Sequence, residues 1–271
     1  MSEPREELKA LAREARVLLE REVSRGRERI LLTERAPKAA ASPSSVDPGP
    51  RPMTLPGFER VAPAPIPAFA PPPVITPTFA PRGDLPDDLG TLARLVSECR
   101  KCGLCATRTH TVFADGSTSA RLVFIGEAPG RDEDLRGLPF VGRAGQLLDK
   151  MIAAIDLRRD EVYICNVLKC RPPENRTPAP DEVEQCLPYL EQQLALVRPA
   201  LICALGLSAA QALLKTKSSM ASLRGRTFEY RGIPLIPTYH PAALLRNPGL
   251  KREAWADMQR VRDTLKARTA S

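Results

Sequence analysis

Between Pro37 and Pro86 the chain carries more than half of its 28 prolines. A stretch so rich in proline and so poor in long apolar runs cannot bury enough surface to offset the entropy of ordering it. It reads as a disordered Pro/Ala-rich linker over residues 36–86, and it divides the 271 residues into two unequal parts. Ahead of it, Leu8, Leu11, Ala12, Ala15, Leu18 and Leu19 recur at helical spacing among Glu and Arg. That pattern predicts an amphipathic helix within residues 1–35, suited to docking on a partner or on the domain itself. The folded domain is expected over residues 87–268.

Within that domain strand and helix signals alternate. Arg121–Gly126, Val162–Leu168 and Ala200–Leu205 are short, branched apolar runs bounded by glycine or polar turns, as strands of a covered parallel sheet require. Gly142–Ile155, Asp181–Val197 and Ser208–Leu214 read as the intervening helices. The second opens on Pro180-Asp181-Glu182, where acidic residues favour a helix N-terminus. A strand pair around Thr227–Tyr230 and Ile233–Pro237, then a helix through Trp255 and Met258, complete the pattern. The predicted fold class is α/β, with three layers (α/β/α) around a short central parallel sheet. Reactive groups in such a sheet belong at the carboxyl ends of the strands, where Gly126–Asp134, Asn166–Arg176 and Tyr239–Pro248 stand.

The formal charge of +8 points to an acidic partner, either nucleic acid or an anionic membrane surface. No apolar run approaches the roughly 20 residues needed to span a bilayer. The N-terminal MSEPREELKA also lacks the apolar core of a signal peptide, so no membrane is expected and the location reads as cytoplasmic.

Seven cysteines fit a disulfide framework poorly, both in number and in a reducing compartment. Cys99, Cys102 and Cys105 are spaced C-x2-C-x2-C, and Cys170 and Cys186 flank a later proline-rich loop. Thiolates at this spacing can converge on one iron–sulfur cluster, which prefers four cysteines. A ferredoxin-type run would add its fourth cysteine soon after the third, yet Arg108 and Thr109 stand there, so the fourth ligand comes from afar. A zinc site with four cysteines satisfies the same arithmetic. Cys165 and Cys203 lie inside predicted strands and read as core.

Gly126-Glu127-Ala128-Pro129-Gly130 leaves a predicted strand and runs into Arg131-Asp132-Glu133-Asp134. Its glycines let the backbone approach a ligand and aim N–H groups at an oxygen that gains negative charge. Of the two histidines, His110 has no chemical setting, whereas His240 follows a predicted strand and opens HPAALLRNP. In order and separation, GEAPGRDED, LPFVGRAGQLL, NVLKCRPPENRTP and HPAALLRNP together resemble the family 4 uracil-DNA glycosylases, the iron–sulfur class of bacteria and archaea. The resemblance spans about Glu98 to Thr264.

That resemblance implies an enzyme that flips uracil out of DNA, hydrolyses its N-glycosidic bond and leaves an abasic site for base excision repair. It implies a structural 4Fe–4S cluster on Cys99, Cys102, Cys170 and Cys186, with Cys105 left over. Phe140 becomes the stacking platform. Asn166 reads the base edge, because a side-chain amide matches N3–H and O4 of uracil and mismatches cytosine. His240 donates to O2, stabilising the charge that builds on the departing base. Backbone groups of Gly126, Glu127 and Ala128 line the uracil pocket. Glu133 is the first choice for positioning the attacking water, with Glu127 and Asn175 as alternatives. Leu244, Leu245, Arg246 and Asn247 supply an apolar wedge and a cation for the DNA backbone, and the sequence leaves open which leucine inserts. The enzyme is expected to work as a monomer on uracil-containing DNA, with the N-terminal helix docking a replication or repair protein. KCRPPENRTP lacks the basic insert and histidine of related cross-linking glycosylases, so turnover is expected. The contrasting reading is a non-catalytic iron–sulfur or zinc protein that binds DNA or a polymerase.

Overall fold

The computed structural model describes residues 81–268. The helix expected within residues 1–35, and the linker up to residue 80, lie outside the described residues. Among the described residues there are six strands: β1 Asp115–Gly116, β2 Leu122–Gly126, β3 Tyr163–Asn166, β4 Leu201–Leu205, β5 Phe228–Tyr230 and β6 Ile233–Thr238. They form one sheet in the order β1-β3-β2-β4-β6-β5. The four central strands run parallel, and β1 and β5 are short antiparallel edges. The helices are α1 Leu89–Ser97, α2 Arg131–Arg136, α3 Arg143–Ala153, α4 Pro180–Val197, α5 Leu207–Leu214, α6 Met220–Leu223, α7 Pro241–Arg246 and α8 Lys251–Ala267.

The period of two along each strand produces the three layers. Val123, Ile125, Ile202, Ala204 and Leu235 face one side and pack on Leu190 and Leu194 of α4 and Leu213 of α5. Leu122, Phe124, Leu201, Leu205 and Ile236 face the other, against Leu148 and Ile152 of α3 and Met258 and Val261 of α8. Sheets covered on both faces need such continuous apolar strands. Cys165 and Cys203 are fully buried within them.

Five elements were not anticipated. β1 has two residues, too few for a pattern. α2 and α7 have six residues each and α6 has four, all shorter than two helical turns. α1 carries a readable signal: Asp88 caps it, its Oδ1 accepting the Thr91 N–H at 2.7 Å. Leu92 and Val96 of α1 pack with Leu168 and Tyr189 beneath the cysteine segment.

From β2 the chain passes through α2 and α3 to β3 on one side, while β4 continues toward β6 on the other. Strand order therefore reverses between β2 and β4, and the crevice at their carboxyl ends is where such sheets bind ligands.

The segment read as linker overlaps the described residues at 81–86. There the Arg82 N–H donates to Gln192 Oε1 at 2.7 Å and Gln192 Nε2 donates to the Pro86 carbonyl at 2.6 Å. Gln192 is fully buried on α4, so among the described residues the chain is already bonded to the domain at residue 82, ahead of the expected start at 87. Deleting residues 1–80 should leave the thermal unfolding midpoint unchanged. Deleting residues 1–86 strands a buried amide, a loss of about 1–3 kcal/mol, and should lower the midpoint by several degrees in calorimetry.

Candidate active site

Strand register decides which groups meet. Gly126 is level with Asn166, and Leu205 with Thr238. The carboxyl ends of the parallel strands form a row, and a cleft of about 670 Å³ opens there, a size that holds a small molecule. Glu127, Ala128, Glu133, Phe140, Asn166, Asn175, His240 and Arg246 all line it.

Asn166 lies at the bottom. It is 2% exposed, and its Oδ1 has no hydrogen-bond partner among the described residues. Native folds leave few buried polar atoms unpaired, and one that faces a cleft is open to a donor from a ligand or a water. Gly126 beside it is required by close approach. A Cβ there would sit 2.3 Å from Asn166 Oδ1 and 2.7 Å from Phe140 Cζ. Phe140 is buried, adopts a left-handed φ of 53°, and holds its ring 5.5 Å from that of His240, tilted by 31°.

His240 caps α7: its Nδ1 accepts the Ala242 N–H at 3.1 Å. The nitrogen that accepts carries no proton, so in the neutral ring the proton sits on Nε2. Burial, reinforced by the positive charge of Arg246, pushes the pKa down from 6.5 to about 4. The site therefore presents one neutral imidazole with a fixed donor.

The two carboxylates near the first motif stand in different settings. Glu133, the first choice for positioning water, accepts the N–H groups of Gly130 at 3.2 Å, Val141 at 3.0 Å and Gly142 at 3.1 Å. Three backbone donors commit it to bracing the loop that carries Phe140. Glu127 lines the same cleft, and among the described residues its carboxylate accepts no hydrogen bond. Asn175 sits at φ 56° with its Oδ1 accepting from Arg171 Nε at 2.8 Å.

The leucines after His240 separate. Leu244 is 2% exposed and packs inward, while Leu245 is 44% exposed. Arg246 and Asn247 are exposed, and Asn247 Oδ1 accepts the Gly249 N–H at 3.2 Å.

Beneath the cleft, Cys99, Cys102, Cys105, Cys170 and Cys186 ring a second cavity with Lys169 and Tyr189. Three of the sulfurs accept hydrogen bonds: Cys99 from Tyr189 Oη at 3.3 Å, Cys170 from Arg108 Nη1 at 3.2 Å and Cys186 from the Lys169 N–H at 3.3 Å. Burial pushes the Cys102 and Cys170 thiols up, and that of Cys186 to about 12. Thiolates there need a metal's charge to form. Among the described residues no group of three or more His, Cys, Asp or Glu is gathered tightly enough to hold a metal ion. The donor set is nonetheless that of a sulfur-ligated centre, soft thiols supported by N–H and O–H donors. The buried Lys169 Nζ donates to the Asn166 carbonyl at 2.7 Å, which ties the wall of this cavity to the bottom of the cleft.

Residues 113–259 match the family model of the uracil DNA glycosylase superfamily. The chain is 45% identical over 183 residues to the type-4 uracil-DNA glycosylase of Archaeoglobus fulgidus, covering 65% of this chain and 92% of that one. The type-4 enzyme of Pyrobaculum aerophilum is 43% identical over 179 residues, 63% of this chain and 91% of its own. That of Thermotoga maritima is 42% identical over 175 residues, with the same shares. The chain belongs to the type-4 uracil-DNA glycosylases. Among the residues that line this glycosylase's cleft, sequence reasoning passed over Leu205, Gly206 and Leu207 at the end of β4, and also Met220 and Leu250. The strand-end rule applied to the other segments would have found the first three, since Ala200–Leu205 reads as a strand, whereas Met220 and Leu250 carry no such signal.

The imidazole of His240 should titrate near pH 4 in an NMR titration. Because its folded pKa lies below the ordinary 6.5, the stability it contributes is present above pH 6.5 and lost as pH falls through about 4. His240→Gln should flatten that part of the curve of melting temperature against pH. A midpoint at 6.5, or an unchanged curve, would contradict the assignment.

Proposed function

We propose that the cleft is where this glycosylase holds uracil flipped out of DNA and hydrolyses its N-glycosidic bond, releasing uracil and leaving an abasic site. The observation that carries the reading is Asn166 Oδ1, buried and without a partner among the described residues, in the cleft that Phe140 and a neutral His240 also line. The flipped base stacks on Phe140. Uracil N3–H donates to Asn166 Oδ1 and the amide N–H donates to O4. Cytosine presents an acceptor and a donor in the reverse order and leaves both groups unpaired.

As the bond breaks, the sugar gains positive charge and the base becomes an anion with charge on O2. The Nε2–H of His240 donates to that oxygen and, being neutral, does not surrender a proton to solvent at working pH. Backbone N–H groups of residues 126–128 face the same end of the base. Glu127 positions the water and offsets the charge on the sugar, the part the sequence reading gave to Glu133. Leu245 enters the base stack and Arg246 meets phosphate.

Cys99, Cys102, Cys170 and Cys186 hold the iron–sulfur cluster, with Cys105 beside them. When bound, the cluster supplies a rigid cross-link between the segment before β1, the loop after Asn166 and α4. Bond cleavage needs only the groups of the cleft.

Incubation with a uracil-containing duplex followed by alkali should cut the strand at uracil and spare a thymine control; an uncut uracil strand would defeat the reading. His240→Ala should lower turnover about a hundredfold to a thousandfold while duplex affinity is retained, and equal loss of both would make the histidine structural. Leu245→Ala should lower excision from duplex more than from single strands at constant melting temperature. Leu244→Ala should instead destabilise the fold by about 2–5 kcal/mol. The purified protein should be brown, with iron and sulfide in equal amounts, and Cys186→Ser should remove the colour and lower the melting temperature. Zinc in place of iron would refute the cluster.

A further inference from the structure

Phe140 holds a left-handed backbone conformation that a bulky side chain adopts only when its surroundings enforce it. Two charged side chains do so from opposite sides. Glu133 takes the N–H groups that follow the residue. Arg159, in the turn before β3, takes the carbonyls that precede and belong to it: Nη2 donates to Pro139 at 2.7 Å and Nη1 to Phe140 at 3.3 Å. The guanidinium is itself aimed by Asp115 of β1 at 2.8 Å and Asp149 of α3 at 2.7 Å. The start of α3 presses against the same carbonyl, since a Cβ at Gly145 would lie 1.8 Å from the Phe140 oxygen.

We propose that Arg159 is a positioning residue for uracil excision: anchored by Asp115 and Asp149, it fixes the Phe140 backbone so that the ring stands in its stacking place before the base arrives. This rests on the reading of Phe140 as the stacking platform. It gives a role to β1, whose two residues add little to the sheet but deliver Asp115, and to an ion cluster behind the cleft that touches no substrate. A planar fork reaching two carbonyls and two carboxylates at once is a task for arginine, which lysine's single ammonium performs only in part. A platform displaced by about 1 Å loses rate up to a hundredfold while overall DNA contacts persist.

The test is a double-mutant cycle read by single-turnover uracil release, with affinity for uracil-free duplex measured in parallel. Arg159→Gln should slow release about tenfold to a hundredfold and leave duplex affinity within about twofold; Arg159→Lys should fall between. In a Phe140→Ala background Arg159→Gln should add no further loss, because its effect is exerted through that ring. Equal loss in both backgrounds, or no loss in the first, overturns the proposal. If Phe140→Ala itself releases uracil at the normal rate, the stacking reading fails; if it is slow while Arg159→Gln is normal, only the role of Arg159 fails. Should Arg159→Gln not fold, Asp149→Asn is read in the same cycle: a severalfold loss that vanishes with Phe140→Ala supports the proposal, and an additive loss overturns it.

Discussion

The parallel register of β3, β2, β4 and β6 is the constraint on which the site depends. It brings Asn166, Gly126, Leu205 and Thr238 to one level, and Glu127, Asn166, Gly206 and His240 of the cleft stand at or just past those ends. A shift of one residue in any strand would turn its terminal side chain to the opposite face. The apolar contacts on both sides of the sheet oppose such a shift, since each strand alternates between two filled layers. Core packing and site geometry are thus the same constraint seen at the middle and at the end of the strands.

Around that row the chain spends charge on shaping rather than on chemistry. Glu133 braces the Phe140 loop, and Glu182 accepts both Arg176 and the Ala179 N–H to fix the segment after Asn175. Asp257 accepts from Thr238 and Arg224 just before His240. Facing the cleft are the neutral imidazole of His240, the buried Asn166 amide, the Glu127 carboxylate and, near the imidazole, the Arg246 guanidinium. This arrangement suits a reaction whose leaving group becomes an anion, because fixed donors stabilise that anion without reorganising when it forms.

The strands and long helices were legible in the sequence because branched apolar runs and the acidic start of α4 are local signals. The convergence of GEAPG, Asn166 and His240 followed from the strand-end rule once those strands were placed. What sequence could not supply was partnership. It showed two carboxylates near the first motif, but only the fold shows that Glu133 has its oxygens taken by backbone N–H groups while, among the described residues, Glu127 accepts none. Leu244 and Leu245 are indistinguishable as letters, and the pitch of α7 buries one and exposes the other. Arg159 carried no signal, since its partners Asp115 and Asp149 are 44 and 10 residues away. The two histidines were told apart by their setting at a strand end, whereas the tautomer of His240 needed the Ala242 N–H.

The account is tested most directly by a crystal structure of the protein with free uracil. It predicts the base in the cleft, stacked on Phe140, with N3 and O4 within hydrogen-bond distance of the Asn166 amide and O2 within reach of His240 Nε2. Uracil bound elsewhere, or in the cleft with its O2 turned away from His240, would contradict it.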